Sequence, residues 1–223
     1  MTLDKTPKAV QNMFDKIAGK YDFINNIMSF GLHNFVKYKA VKSLDIKPYD
    51  KVLDLCCGTG DLSGITKKLY PKVSVTGIDF SDSMLEIARK KYSQIPYIKA
   101  DATNLPVLEN SLDFVIMGFG LRNIQNAEKA IEEVFRILHN GGYFLHLDFG
   151  RKNLASKIYD ITTKVITKIF SKNVDAYKYL IKSKREFLTP DELIEDFEKK
   201  GFKLKKRQDY LFGVISAQIM QKI

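Results

Sequence analysis

Two glycines and two aspartates are the first residues whose types and spacing suggest chemistry. Val52-Leu53-Asp54-Leu55-Cys56-Cys57-Gly58-Thr59-Gly60-Asp61 reads as an apolar strand running into a turn that holds Gly58 and Gly60. Glycines at such a turn let the backbone approach a bound nucleoside closely. Asp79 ends the next apolar run, 21 residues after Gly58, where a carboxylate can accept both ribose hydroxyls. Asp101-Ala102 ends the third run and is placed to meet an adenine edge. A dinucleotide site would also show Gly-x-Gly followed by an acid at this distance. Its third small position discriminates: here it is Ser63, with Gly64 one place late. Cys56 and Cys57 read as small packing residues beneath the loop rather than nucleophiles.

The elements that must position these residues alternate. Strands are predicted at Lys51–Cys56, Val73–Ile78, Tyr97–Ala100, Leu112–Met117 and Tyr143–Asp148. Helices are predicted at Asp61–Leu69, at Ser81–Tyr92 with Ser81 as N-cap, and at Asn126–Leu138, stopped by Asn140-Gly141-Gly142. That alternation predicts a doubly wound parallel sheet. Residues 7–45 read as helices interrupted by Gly31, and residues 154–186 as further helix. Thr189-Pro190 opens another helix, with Pro190 at its first position. Two strand-like runs, Lys203–Tyr210 and Val214–Gln221, then flank Gly213. A terminal hairpin is foreign to the usual dinucleotide fold. It favours the Rossmann-like sheet of class I S-adenosylmethionine (SAM)-dependent methyltransferases: seven strands, mostly parallel, with a C-terminal antiparallel hairpin and a helical lid. The expected layout is one domain. Residues 1–48 form an N-terminal helical segment on the acceptor side, 49–150 the donor-binding core, 151–188 a basic helical lid, and 189–223 the last helix and hairpin.

Composition bounds the partners. No apolar run approaches the roughly 20 residues that span a bilayer, and MTLDKTPKAV lacks the apolar stretch of a signal peptide. The only two cysteines are adjacent, which suits a reducing cytoplasm. His33, His139 and His146 show no metal-ligand spacing, so no metal is expected. Net charge is +10, and +8 of it falls in 151–185, which points to a local anionic partner. Leu154, Ile158, Ile161, Val165 and Ile169 recur there at helical spacing, flanked by Lys157, Lys164, Lys168 and Lys172. Such a helix over 154–172 serves either an anionic membrane surface or a lid whose apolar face packs on the sheet. Aromatics interleaved with Lys and Arg would mark nucleic acid. They are few in this segment, and no nucleic-acid partner is expected.

Four further stretches match one family in order. The chain resembles the ubiquinone/menaquinone biosynthesis C-methyltransferases (UbiE/MenG type) at Tyr21-Asp22-Phe23-Ile24-Asn25-Asn26-Ile27-Met28-Ser29-Phe30-Gly31-Leu32-His33, at the donor loop Leu53–Asp61, at Phe119-Gly120-Leu121-Arg122-Asn123-Ile124 and at Asp175-Ala176-Tyr177-Lys178-Tyr179-Leu180. The resemblance covers nearly the whole chain. It implies that Thr59, Asp79, Asp101, Ala102 and Gly118 bind SAM beside Gly58 and Gly60. Three positions depart from the family's usual pattern: Gly118 stands for Ser, Val36 for Trp, and Lys182 for Glu.

The resemblance implies methylation of a ring carbon of a polyprenylated quinol, in menaquinone or ubiquinone biosynthesis. Conversion of demethylmenaquinol to menaquinol is the leading case, and a benzoquinol acceptor stays open. Carbon attacks well only when a neighbouring phenol ionises, so the protein must help remove that proton and stabilise the anion. Arg122 is the expected anion stabiliser, with Asn123 fixing its orientation. A neutral His33 is a candidate proton acceptor. Tyr21, Tyr177 and Tyr179 are expected to line the quinol pocket. Two rival functions remain: SAM-dependent methylation of another small molecule or of RNA, and a non-catalytic scaffold that keeps the fold. The expected location is the cytoplasm, with room for peripheral attachment at the inner face of its membrane and for a homodimer.

Overall fold

The computed structural model describes residues 3–29, 31–170 and 174–223. Side chains at 28, 167–170, 174, 175 and 177 lie outside the described set. Helix α1 (Pro7–Ser29) and helix α2 (Leu32–Lys42) precede the sheet and meet at Gly31, as the sequence predicts. Strand β1 (Lys51–Leu55), helix α3 (Asp61–Leu69), strand β2 (Ser74–Asp79), helix α4 (Asp82–Lys91) and strand β3 (Tyr97–Lys99) follow. Then come strand β4 (Leu112–Gly118), a short helical turn at Leu121–Asn123, helix α5 (Ala127–Ile137) and strand β5 (Leu138–Phe149). The chain closes with helices α6 (Leu154–Phe170), α7 (Val174–Glu186) and α8 (Pro190–Lys199), then strands β6 (Phe202–Tyr210) and β7 (Ile215–Lys222).

The seven strands lie in the order β3-β2-β1-β4-β5-β7-β6. β1 to β5 pair in parallel, and β7 runs antiparallel to both β5 and β6. Successive strand residues point to opposite faces. Val52 therefore joins α2, α3 and α4 in one core, with Val36, Ala40, Leu62, Leu85 and Ala88. Leu53 and Leu55 join α5 and α8 in the other, with Ile131, Val134, Leu193 and Phe197. A third cluster of Ile17, Ala18, Ile24, Met84 and Ala176 ties α1 to α4 and α7. The N-terminal helix is thereby drawn across the open edge of the sheet.

Caps set several boundaries as predicted. The Ser81 side chain accepts from Met84 N, and Thr189 forms a capping box with Glu192 ahead of Pro190. One boundary differs. Asn140-Gly141-Gly142 does not stop α5, which ends at Ile137 because Leu138 already pairs with Leu112. The glycines lie within β5, where its register against β4 shifts between Leu112 and Phe114. A Cβ at Gly142 would stand 2.9 Å from the His139 carbonyl and 3.1 Å from that of Asp113. The local signal for a helix stop is therefore a strand irregularity that keeps two backbones close.

Candidate active site

A cleft of about 220 Å³ opens at the C-terminal ends of β1, β2 and β4, the edge where open α/β sheets bind ligands. Gly58, Asp79, Asp101, Ala102 and Gly118 line it, as do Cys56 and Phe119. Residues of α1, among them Phe14 and Tyr21, close it from above. Asp79 holds the donor loop in shape: its two oxygens accept Gly58 N at 2.8 Å and Ser81 N at 2.9 Å. The Phe80 N–H also acts on this carboxylate, and a carboxylate's roughly four acceptor sites still leave room for a ligand hydroxyl. Burial raises the Asp79 carboxyl above its usual range, against the lowering effect of those backbone N–H groups. Asp101 accepts from both the backbone N–H and the hydroxyl of Thr103 at 2.8 Å. A Cβ at Gly58 would meet nothing within 4 Å, so the backbone there is open to a ligand. Gly60 answers a different need. With φ +82° and an added Cβ only 2.5 Å from the Tyr97 hydroxyl, it permits both the left-handed turn and the close approach to Tyr97.

Asp54, deep on β1, receives the N–H and hydroxyl of Ser63 at the start of α3. Burial pushes its carboxyl up to about 7. A charged network then ties the N-terminal helices to the donor loop. Lys37 of α2 reaches Asp61 at 2.8 Å, and Lys91 of α4 bridges Asp61 and Asp22 at 2.6 and 2.7 Å. The Thr59 hydroxyl donates to Asp22 at 2.7 Å. Burial alone would raise Asp61, but the charges and hydrogen bonds of Lys37 and Lys91 prevail and hold it at about 2.

A second chamber of about 80 Å³ adjoins the cleft, and Tyr21 and Phe119 line both. Phe119 adopts φ +60°, rare for a residue with a side chain. Such backbone is stored where the surroundings fix it, often at functional sites. Beyond it run Phe149 and Tyr159, with ring centres 5.4 Å from Phe119 to Phe149 and 5.6 Å from Phe149 to Tyr159. Arg122 and Lys184 both lie over Phe149, at 5.0 and 4.9 Å from its centre. Arg122 is buried; its Nη1 donates to the Phe119 carbonyl and to Asp148, each at 2.7 Å. His33 also faces this chamber. Its surroundings, first burial and then the charge of Lys37, lower it to about 4, so it is neutral at pH 7. The Ser29 hydroxyl donates to the Asn25 carbonyl at 2.7 Å and contacts His33 Nδ1 at 2.7 Å. A hydroxyl has one proton, so Nδ1 must be the donor in that contact. Nε2 is left as the proton acceptor.

The chain matches the model of the ubiE/COQ5 methyltransferase family over residues 1–222. The chain belongs to that family. It is 36% identical over 208 residues to the demethylmenaquinone methyltransferase of Thermotoga maritima, covering 90% of each chain. It is 34% identical over 223 residues to the enzyme of that name from Staphylococcus haemolyticus, covering 96% of this chain and 93% of the other. Among solved structures, a SAM-dependent methyltransferase of T. maritima, described as a possible histamine N-methyltransferase, superposes with a TM-score of 0.72 at 23% identity, over 96% of this chain and all of that one. A putative SAM-dependent methyltransferase of Methanococcus maripaludis gives 0.63 at 19%, over 100% and 95%. These two likenesses speak for the class I methyltransferase fold. As a ubiE/COQ5 methyltransferase, the chain uses SAM as methyl donor.

Against that family identity, the residues singled out in the sequence divide between the two chambers. Asp79, Asp101, Ala102, Gly58, Gly118 and Asn123 line the donor cleft, whereas Arg122 and His33 line the second chamber. Thr59 and Gly60 stand behind the cleft, in the ion network and against Tyr97. Asn123 donates to the Phe119 carbonyl at 3.3 Å, the acceptor that Arg122 also uses. Its Oδ1 is buried without a hydrogen-bond partner among the described residues, so the cleft offers an acceptor for a ligand donor. The orientation of Arg122 is set by Asp148 and Phe119 instead. Tyr179 lines neither chamber; its hydroxyl lacks a hydrogen-bond partner among the described residues, and burial raises it. The side chain of Tyr177 lies outside the described residues.

Gly118 has a packing reason: an added Cβ would stand 2.6 Å from Cδ1 of Leu62, itself buried. A serine, usual in the family, requires Leu62 to move. Sequence reasoning missed Asn25, Ser29, Tyr159, Asp160 and Lys184 as chamber residues. The polar positions 156, 160 and 163, at helical spacing on one face, were the available signal.

Proposed function

We propose that this enzyme transfers the SAM methyl group to a ring carbon of demethylmenaquinol, the reaction that the names of its Thermotoga and Staphylococcus relatives imply. One observation carries the reading: the donor cleft shares Tyr21 and Phe119 as walls with an aromatic chamber faced by Arg122, Lys37, Lys184 and a neutral His33. Bound SAM supplies an electrophilic sulfonium methyl. His33 Nε2 accepts a hydrogen bond from the quinol hydroxyl and relays its proton to water, and Arg122 stabilises the phenolate that results. Charge delocalises to the adjacent ring carbon, which forms the new C–C bond as the S–CH3 bond breaks. The neutral thioether leaves, loss of the ring C–H proton to water rearomatises the ring as its phenolate, and reprotonation of that oxygen gives the methylated quinol. Tyr21 and Phe119, lining both chambers, hold the ring against the methyl. Purified protein with SAM should methylate demethylmenaquinol at least tenfold faster than a demethylated benzoquinol of equal tail length, about 1.4 kcal/mol in the barrier. Equal rates, or none with either quinol, would overturn the assignment.

The tail's route is read from α6, which is built inside out. Ser156, Asp160 and Thr163 are buried, while Leu154, Ile158, Ile161 and Val165 are 73%, 54%, 61% and 55% exposed. These four residues of the apolar stripe foreseen in the sequence thus face outward, and the side chain of the fifth, Ile169, lies outside the described residues. Phe212, 93% exposed, lies at its N-terminal end, where Asn153 donates to the Phe212 carbonyl at 2.8 Å. An apolar stripe in the segment that holds +8 of the net charge suits an anionic bilayer surface, where each Lys contributes about 1 kcal/mol. No helix among the described residues is long and apolar enough to cross a membrane, so α6 would lie in the interface. The protein is expected to sediment with anionic liposomes at low salt and to be released at high salt. Equal binding to neutral liposomes would remove the electrostatic part. No binding, together with concentration-dependent dimerisation, would give the stripe to a second copy.

A further inference from the structure

Lys184 is a buried cation without an assigned task. Its ammonium donates to Asp160 at 2.6 Å and to the Ser156 carbonyl at 3.2 Å, and it faces the second chamber. An ammonium has three donors; two make these hydrogen bonds, and the third makes none among the described residues, with the centres of the Phe149 and Tyr159 rings 4.9 and 4.8 Å away. Asp160 does not need Lys184 for neutrality, because Arg185, half exposed, reaches its other oxygen at 3.0 Å. The lid therefore holds two cations against one carboxylate, and the inner one is turned to the chamber. Burying an ammonium costs several kcal/mol when the charge serves packing alone. Lys184 also lies 4.9 Å from the centre of the Phe149 ring, which Arg122 shares at 5.0 Å.

We propose that Lys184 is a second catalytic cation, whose free N–H donor binds an oxygen of the ionised quinol while Arg122 binds the phenolate. Of the cations on the chamber wall, Lys37 is paired with Asp61 and Arg122 with Asp148, whereas Lys184 shares Asp160 with Arg185, which leaves one positive charge in excess at the lid. That excess of positive charge suits a ligand that becomes an anion. A quinol carries two oxygens, so two cations lining one chamber match it better than one. This inference rests on the quinol reading above.

The sign of the pH effect follows from the groups around Lys184. Asp160 and Tyr159 face it from α6, Arg122 from the turn after β4, and Arg185 from its own helix. Tyr21 from α1, and His33 and Lys37 from α2, lie across the chamber. Burial raises Tyr159 to about 12, so it stays neutral in the working range. Burial lowers Lys184, while its bond to Asp160 opposes that shift. A cation near a phenol favours the phenolate. Removing Lys184 should therefore raise the pH at which the bound phenol ionises.

Lys184→Met is expected to lower kcat by about tenfold at neutral pH and to move the rising limb of the pH–rate profile up by about one unit. The SAM KM should not change, and Lys184→Arg should recover part of the loss. Lys184→Gln removes the charge but keeps a donor for Asp160, and it decides the matter if the Met variant does not fold. Arg185→Gln removes the outer partner of Asp160 and should leave the profile where it is. A second readout needs no turnover: the absorbance of 1-naphthol bound with S-adenosylhomocysteine. Its ionisation midpoint should lie below that of free naphthol in the wild type and return towards it in Lys184→Gln. Wild-type pH profiles and naphthol midpoints in the folded Lys184 variants would make the residue a lid ion pair only. A wild type inactive on every quinol would overturn the substrate reading, and the naphthol midpoint would still decide Lys184.

Discussion

Arg122→Ala is expected to lower single-turnover methyl transfer by a factor of about 10² to 10³ and to destabilise the fold by about 3–5 kcal/mol. The first effect follows from the chamber. Arg122 is held by Asp148 and the Phe119 carbonyl, both at 2.7 Å, so the guanidinium is in place before the phenolate forms. Donors fixed in advance where charge develops need no reorganisation during reaction. The second effect follows from Asp148, which is almost wholly buried and whose Oδ2 already lacks a hydrogen-bond partner among the described residues. Without Arg122, its charge would be left uncompensated. The double variant Arg122→Ala/Asp148→Asn separates the effects: it should regain much of the stability and none of the turnover. Arg122→Lys should recover part of the rate, because it keeps the charge but loses the planar fork. SAM affinity should be near wild type in every folded variant, since Arg122 lines the second chamber and not the donor cleft. Wild-type transfer by the double variant, with donor and quinol saturating, would make Arg122 a structural ion pair and overturn this mechanism.

Much of the fold was legible because its signals are local. The strands alternate with capped helices, and Ser81 and Thr189 cap as their residue types dictate. The glycines of the donor loop and the acids at the ends of successive strands reach the cleft through topology alone: parallel strands deliver their C-terminal ends to one edge. What stayed illegible depends on tertiary packing. Periodicity found the apolar stripe of α6 but could not orient it. Its polar face is inward because Ser156, Asp160 and Thr163 meet Lys184 and the chamber, a pairing 24 residues apart for Asp160 and Lys184. Nor could sequence spacing assign Arg122 to Asp148 or Thr59 to Asp22, which are joined only once β5 and α1 are in place. Gly118 is the clearest case. From the sequence it is a missing hydroxyl; in the structure it is the space that Leu62 occupies.

Asp79→Ala is expected to weaken SAM binding by at least tenfold, or about 1.4 kcal/mol, and to loosen the loop that receives the donor. The carboxylate does two jobs at once. Its oxygens hold Gly58 N and Ser81 N, which fixes both the turn after β1 and the N-cap of α4. Asp79 also lines the cleft, where we propose that it takes the ribose hydroxyls of SAM, to which an ionised acceptor would make strong bonds. Alanine removes the ribose contacts and also leaves two backbone donors unpaired, each costing about 1–3 kcal/mol where water cannot replace the acceptor. Asp79→Asn isolates the contributions. Its amide oxygen can keep one of the two backbone donors, so the loop should survive better than in the alanine variant, while the charge-assisted part of ribose binding is lost. Calorimetric titration with SAM, alongside thermal unfolding without it, reads both effects. The expected order of affinity is wild type, then Asn, then Ala, with unfolding temperature following the same order. If both variants titrate with wild-type affinity, Asp79 is a loop brace alone, and the ribose must be held by another residue of the cleft.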